Sequence, residues 1–122
     1  MKFGIDIHGV ADTKRKFFAI FTQRVIEQGH QVHIITGSQR TLKIENELNS
    51  YGIRWTHFFS VADKLIAEGC VVHWKDKDNP FFDDVYWNDT KGKYCEQQKI
   101  DIHFDDSNVY GKYFKTLYVR VI

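Results

Sequence analysis

Short apolar runs alternate with longer amphipathic stretches along most of the chain. Lys2–Ile5 is short and apolar, and Lys14 to Gln28 carries Phe17, Phe18, Phe21, Val25 and Ile26 at helical spacing before Gly29. That pair predicts strand, loop, helix. Gln31–Thr36 reads as a buried strand through Val32, Ile34 and Ile35. Gly37-Ser38 ends it ahead of a helix with Ile44, Leu48 and Tyr51 on one face and Gly52 at its close. Ile53–Phe59, rich in aromatic and β-branched residues, predicts a third strand. Ser60-Val61-Ala62-Asp63 then forms a capping box for a short helix ending at Gly69.

The pattern changes between Cys70 and Thr90. Cys70–Trp74 and Val85–Trp87 predict two short strands joined by a charged loop that holds Asn79-Pro80, the only proline, so residues 70–90 read as a small insertion. Asp89 or Thr90 can cap a helix over Lys91–Gln98. Ile100, Ile102 and Phe104 alternate with Asp101 and His103 on a further strand, followed by a short helix near Val109–Phe114 and a last strand at Leu117–Ile122. Repeated strand–helix units with short connections predict an α/β fold with a mostly parallel sheet covered on both faces. A chain of 122 residues is expected to be one domain, 1–122.

Composition narrows the function classes. A hydrophobic fraction of 43% and an aromatic fraction of 16% are enough for one packed core. A net charge of +1 gives no broad attraction to nucleic acid or to a membrane, so nucleic acid is not indicated as a partner. The amino terminus lacks a signal-peptide pattern and no long apolar segment occurs, from which a cytoplasmic location is expected. Cys70 and Cys95 lack CxxC spacing and read as inert thiols.

Candidate chemistry lies where strands end. In an open α/β sheet, ligands bind beyond the carboxyl ends of the strands. Asp6 follows the first strand, Thr36-Gly37-Ser38 the second, and Asp105-Asp106 the strand that begins at Ile100, while Lys91 lies near a predicted helix start. Carboxylates can attack phosphorus or hold Mg²⁺, and a hydroxyl, a backbone N–H and an ammonium can bind phosphoryl oxygens.

In that order the segments Phe3-Gly4-Ile5-Asp6-Ile7-His8-Gly9-Val10, Ile34-Ile35-Thr36-Gly37-Ser38, Lys91 (with Lys93 as the alternate) and Ile102-His103-Phe104-Asp105-Asp106-Ser107 resemble the four motifs of the haloacid dehalogenase superfamily. The resemblance implies a compact three-layer Rossmann-like domain with at most a small cap insertion. It also implies a Mg²⁺-dependent phosphohydrolase acting on a small phosphomonoester, with a nucleotide as one candidate. Asp6 would be the nucleophile that forms an aspartyl-phosphate. The metal would be held by Asp6, Asp105, Asp106 and the backbone carbonyl of His8. Thr36, Gly37 and Ser38 would bind the phosphoryl oxygens, and Lys91 would neutralise charge beside the nucleophile.

The departure from the family pattern is His8, which stands where its phosphatases carry a second Asp that protonates the leaving group and then activates water. An imidazole titrating near ~6.5 can make the same transfers. The alternative is a catalytically impaired phosphate- or metal-binding module. His30, His33, His57, His73 and His103 lack metal-site spacing and read as structural or exposed, with His33 and His103 near the site only if their strands turn those faces toward it. Trp74, Phe81, Phe82, Tyr86 and Trp87 could stack on a base or sugar, but aromatic residues in a short hairpin more often pack on the core or form a subunit contact, and they read as packing residues of the insertion. Asp76, Asp78, Asp83 and Asp84 read as its solvated loop. A cap this small leaves the site open, which is compatible with a homo-oligomer in which a neighbour covers it.

Overall fold

The computed structural model describes residues 1–77 and 79–122. Strands β1 (Lys2–Ile5), β2 (Gln31–Thr36), β3 (His57–Ser60), β6 (Ile102–Asp105) and β7 (Leu117–Arg120) form a five-stranded sheet in the order β3-β2-β1-β6-β7. Every pair in it is parallel. Helices α1 (Arg15–Glu27), α2 (Leu42–Ser50), α3 (Val61–Ala67) and α4 (Asp84–Gln98) connect and cover the strands. The result is an α/β architecture with a parallel central sheet flanked by helices, compatible with a Rossmann-like fold. No helix among the described residues is long and apolar enough to cross a membrane.

Side chains of period two divide the sheet between two cores. Ile5, Val32 and Ile34 pack with Phe18 of α1 and Leu48 of α2, and Phe104 and Phe58 join them from the flanks. On the other face Ile35 meets Cys95 of α4, Ile100 and, less deeply buried, Phe59, Tyr94 and Phe114. Cys70 and Cys95 are free thiols, and burial pushes the Cys95 thiol up to about 12. It is therefore a packing residue rather than a nucleophile.

The 70–90 segment departs from the expected pair of strands. Its hairpin is β4 (Val71–Asp76) with β5 (Asn79–Phe82), antiparallel and separate from the main sheet. Val85–Trp87 belongs instead to the first turn of α4, because the Asp83 carboxylate accepts the Val85 N–H and caps the helix there. Neither Asp89 nor Thr90 caps anything, and Lys91 lies two turns into the helix rather than at its start. Pro80 sits in a two-stranded hairpin, where a missing donor costs little. Phe82 and Trp87 stack and pack with Val61, Ala62 and Leu65 of α3, whereas Trp74, Phe81 and Tyr86 are exposed. Asp76 accepts a hydrogen bond from the Asn79 amide and Asp83 is the helix cap, so two of the four acidic residues have local structural duties. Asp78 lies outside the described residues.

A buried lysine–carboxylate cluster as candidate functional site

Alternation along β1 and β6 decides which polar residues meet. Gly4 and Asp6 share a parity, as do His103 and Asp105, and β1 pairs with β6 in the register Gly4↔His103. All four therefore point to the face covered by α4. On that helix Trp87, Lys91 and Cys95 recur every four residues on the buried side. Lys91 thus reaches between the two strand ends. Its Nζ lies 3.1 Å from Asp6 Oδ1 and 2.9 Å from Asp105 Oδ2. Lys93 faces solvent and pairs with Asp89 at 2.7 Å.

Asp105 is the most heavily bonded member. Its Oδ2 accepts from Lys91 and from His103 Nε2 at 3.0 Å, and its Oδ1 accepts the Ser107 N–H at 3.1 Å. Burial opposes its ionisation, yet the His103 hydrogen bond and the Lys91 ammonium outweigh burial and hold the carboxyl well below the usual carboxylate range. Asp6 goes the other way: burial dominates and pushes it up to about 6, with Lys91 only partly offsetting burial and Asp105 reinforcing it. Burial also works against the charge on Lys91, but Asp6 and Asp105 overcome it and raise its pKa.

A neutral His103 follows from the same network. The imidazole is fully buried, and desolvation lowers its pKa. With Nε2–H given to Asp105, Nδ1 carries the lone pair, and it has no hydrogen-bond partner among the described residues. From the sequence His103 was expected near the site only if its strand turned that face toward it, and the register shows that it does. The signal that could have found it was the two-residue spacing to Asp105, which puts both on one strand face.

The turn after β1 brings in two further groups. Gly9 has φ +81°, a left-handed conformation that suits glycine, and a Cβ there would lie 2.1 Å from Asp106 Oδ2. Asp106 can therefore close over the turn only because residue 9 has no side chain. Asp12 accepts the Gly9 N–H at 2.8 Å with one carboxylate oxygen and contacts His8 Nδ1 at 3.3 Å with the other. The His8 imidazole is thus oriented by Asp12 and largely exposed.

Around this cluster is a cavity of about 460 Å³, lined by Asp6, His8, Thr36, Lys91, Asp105 and Asp106 together with Gly37, Ser38 and Ser107. All the residues expected at the site from the sequence line it, except the alternate lysine, Lys93. Thr36 is buried, and its hydroxyl accepts the Ser38 N–H at 3.2 Å, which leaves the hydroxyl's own proton to be donated. Oxygens of Asp6, Asp105 and Asp106 lie within 4.8 Å of one another. Three carboxylates against one ammonium leave the cavity short of positive charge. Their hard oxygens suit a small divalent cation such as Mg²⁺. Comparison of the chain with protein-family models, with curated proteins and with solved structures found no match.

Proposed function

We propose that the protein is a phosphohydrolase of the haloacid dehalogenase type, acting on a small phosphomonoester with Mg²⁺. The observation that carries this reading is that Asp6 and Asp105, some hundred residues apart in sequence, share the buried Lys91 ammonium in a cavity that also holds Thr36, Gly37, Ser38 and Asp106. That set supplies a nucleophile, phosphoryl-oxygen donors and metal-binding carboxylates together.

Asp6, Asp105 and Asp106 would hold Mg²⁺, with the His8 carbonyl as the further oxygen ligand that the family resemblance implies. Bound there, the ion would offset the carboxylate charge and that of the phosphoryl group. An Asp6 oxygen attacks phosphorus, the bond to the alcohol oxygen breaks, and an aspartyl-phosphate forms on Asp6. Thr36 Oγ1–H and the backbone N–H of Gly37 donate to the phosphoryl oxygens, while the Ser38 N–H holds the Thr36 hydroxyl in place. Lys91 holds Asp6 ionised in a site where burial alone favours the neutral acid. His8 gives a proton to the departing alkoxide and then takes one from the water that cleaves the acyl phosphate. Asp12 receives Nδ1–H and leaves Nε2 for that exchange.

The test is Mg²⁺-dependent release of phosphate from nucleotides, sugar phosphates and a chromogenic phosphate ester. Replacing the nucleophile in Asp6→Asn is expected to lower the rate by about 10³-fold or more. Phosphate release no faster from the native protein than from Asp6→Asn on every compound would refute the reading and leave a phosphate- or metal-binding module.

A further inference from the structure

Beside the carboxylate cluster a second and larger cavity of about 620 Å³ opens between the two halves of the molecule's carboxyl edge. One wall is the loop after β2 and the start of α2, from Gly37 to Ile44. The other is β5 with the start of α4, from Asn79 to Trp87. Gly37, Ser38 and Trp87 line both cavities, so the two are contiguous. The Trp87 indole forms their common wall. A Cβ on residue 37 would come within 2.8 Å of its ring, and its N–H donates to the Tyr110 hydroxyl at 2.8 Å.

We infer that this second cavity receives the alcohol part of the phosphomonoester, and that this alcohol is flat and uncharged, as a nucleoside is. The inference rests on the reading of the Asp6 cavity as the phosphoryl site. Its chemistry comes from the lining. Phe81, Phe82 and Trp87 give aromatic surface, with Phe82 and Trp87 stacked at 5.4 Å. Ser38, Gln39, Thr41 and Asn79 are polar and neutral. Among the described residues the one charged member of the lining is Asp84, and no lysine or arginine belongs to it. A second phosphate, or a nucleic-acid backbone, would meet an acid here with no cation to neutralise it. Hydroxyl and amino groups would instead find acceptors.

The wall is also formed in advance. Ser60 Oγ donates to the Ser38 carbonyl at 2.7 Å, the Ala62 N–H donates to the Gly37 carbonyl at 3.3 Å, and the Arg40 N–H donates to Asp63 at 3.0 Å. Three bonds to the first turn of α3 fix the loop that the two cavities share. Arg40 itself is turned away, its guanidinium on Glu45 and over the Phe58 ring, and so is not available to a second anionic group. The volume lies in the range of about 300–1,000 Å³ found for small-molecule sites.

Two measurements test the inference. In the first, kcat/KM with Mg²⁺ is compared for a nucleoside 5′-monophosphate, the matching 5′-triphosphate and acetyl phosphate. The monophosphate is expected to exceed each of the others at least tenfold. Ala62→Phe, which fills the cavity from α3, and Phe81→Ala, a truncation at a partly exposed position, should each lower the monophosphate-to-acetyl-phosphate ratio at least fivefold. In the second, the uncharged nucleoside alone is titrated into the native protein. The amide resonances of Ala62, Asn79 and Phe81 should shift, whether or not any ester is hydrolysed. Nucleoside shifts without hydrolysis of any ester would refute the phosphatase reading and keep the pocket. Absent shifts, or a ratio unchanged in both variants, would overturn the pocket assignment.

Discussion

Two buried histidines occupy one row of the sheet and have opposite surroundings. The register runs His57, His33, Gly4, His103, Tyr118 across all five strands, so the five residues share the face under α4. His33 is satisfied on both nitrogens. Gln31 Oε1, an acceptor only, takes Nε2–H at 2.9 Å, and the Tyr94 hydroxyl therefore donates to Nδ1 at 2.7 Å. His33 stacks on His57 at 4.2 Å, and among the described residues its hydrogen bonds go to Gln31 and Tyr94 rather than to a carboxylate. His103 stacks on Phe114 at 4.9 Å, gives one nitrogen to Asp105 and leaves the other without a hydrogen-bond partner among the described residues. Gly4 between them makes the second arrangement possible, since a Cβ there would lie 2.6 Å from His103 Nδ1. The same residue type in the same row thus closes a local hydrogen-bond circuit at one place. At the other it braces a charged cluster.

The most severe way to break that contrast is to remove the charge that His103 helps to brace. Lys91→Met leaves Asp6 and Asp105 buried without their common cation. Losing one partner of a buried ion pair costs about 3–5 kcal/mol. In a domain of this size that is a fall in Tm of roughly 10 °C or more. Lys93→Met is the control, because that side chain is exposed and pairs only with Asp89; it should leave Tm unchanged. A similar Tm for the two variants in differential scanning calorimetry would mean that the cluster is not held as described.

A smaller effect separates the two histidines directly. A group that orients a metal-binding carboxylate typically accounts for about 10–100-fold in affinity. His103→Gln is expected to weaken Mg²⁺ binding by that order in calorimetric titration, and His33→Gln to leave it within about twofold. Equal losses in both would mean that the row acts as one packed layer, with no special link from His103 to Asp105.

How much of this was legible before the fold differs by element. Four of the five main strands follow from apolar runs bounded by glycine and polar turns; the third was expected over Ile53–Phe59 but lies at His57–Ser60, since Ile53 is apolar because it packs in the core ahead of the strand. Asp6, Thr36 and Asp105 were readable because they end such runs. The register was not. Nothing in a single strand says that Gly4 will lie between His33 and His103, since pairing is set by long-range packing rather than local pattern. The start of α4 was misread for a different reason: Val85, Tyr86 and Trp87 favour strands by type, but the Asp83 cap and the burial of Trp87 against α3 override that preference. Once the helix begins at Asp84, Lys91 falls on its buried face between Trp87 and Cys95. A helix placed over Lys91–Gln98 could not show that. Asp12 was missed because its partner is a backbone N–H and an imidazole four residues back, a contact that depends on the left-handed turn at Gly9.

The subtlest consequence is a pH dependence that belongs to His33. Burial, with the neighbouring charges of His57 and Lys2, lowers its pKa from 6.5 to about 4 in the folded protein. Between those values the unfolded chain takes up a proton that the folded protein refuses, so stability is full above pH 6.5 and falls as pH drops toward 4. Asp6 acts in the opposite sense. Its carboxyl is raised from 3.8 to about 6, so over most of the same window the folded state binds the extra proton and gains stability as pH falls. His103, also lowered, adds to the loss. The raw change in Tm is therefore a sum of opposing contributions, and the comparison of native protein with His33→Gln isolates one of them. Between pH 7 and pH 5 the native Tm should fall more, or rise less, than that of His33→Gln. Tm curves that run parallel over this interval would mean that His33 takes up its proton at the same pH in the folded and the unfolded chain, so that its burial refuses no proton.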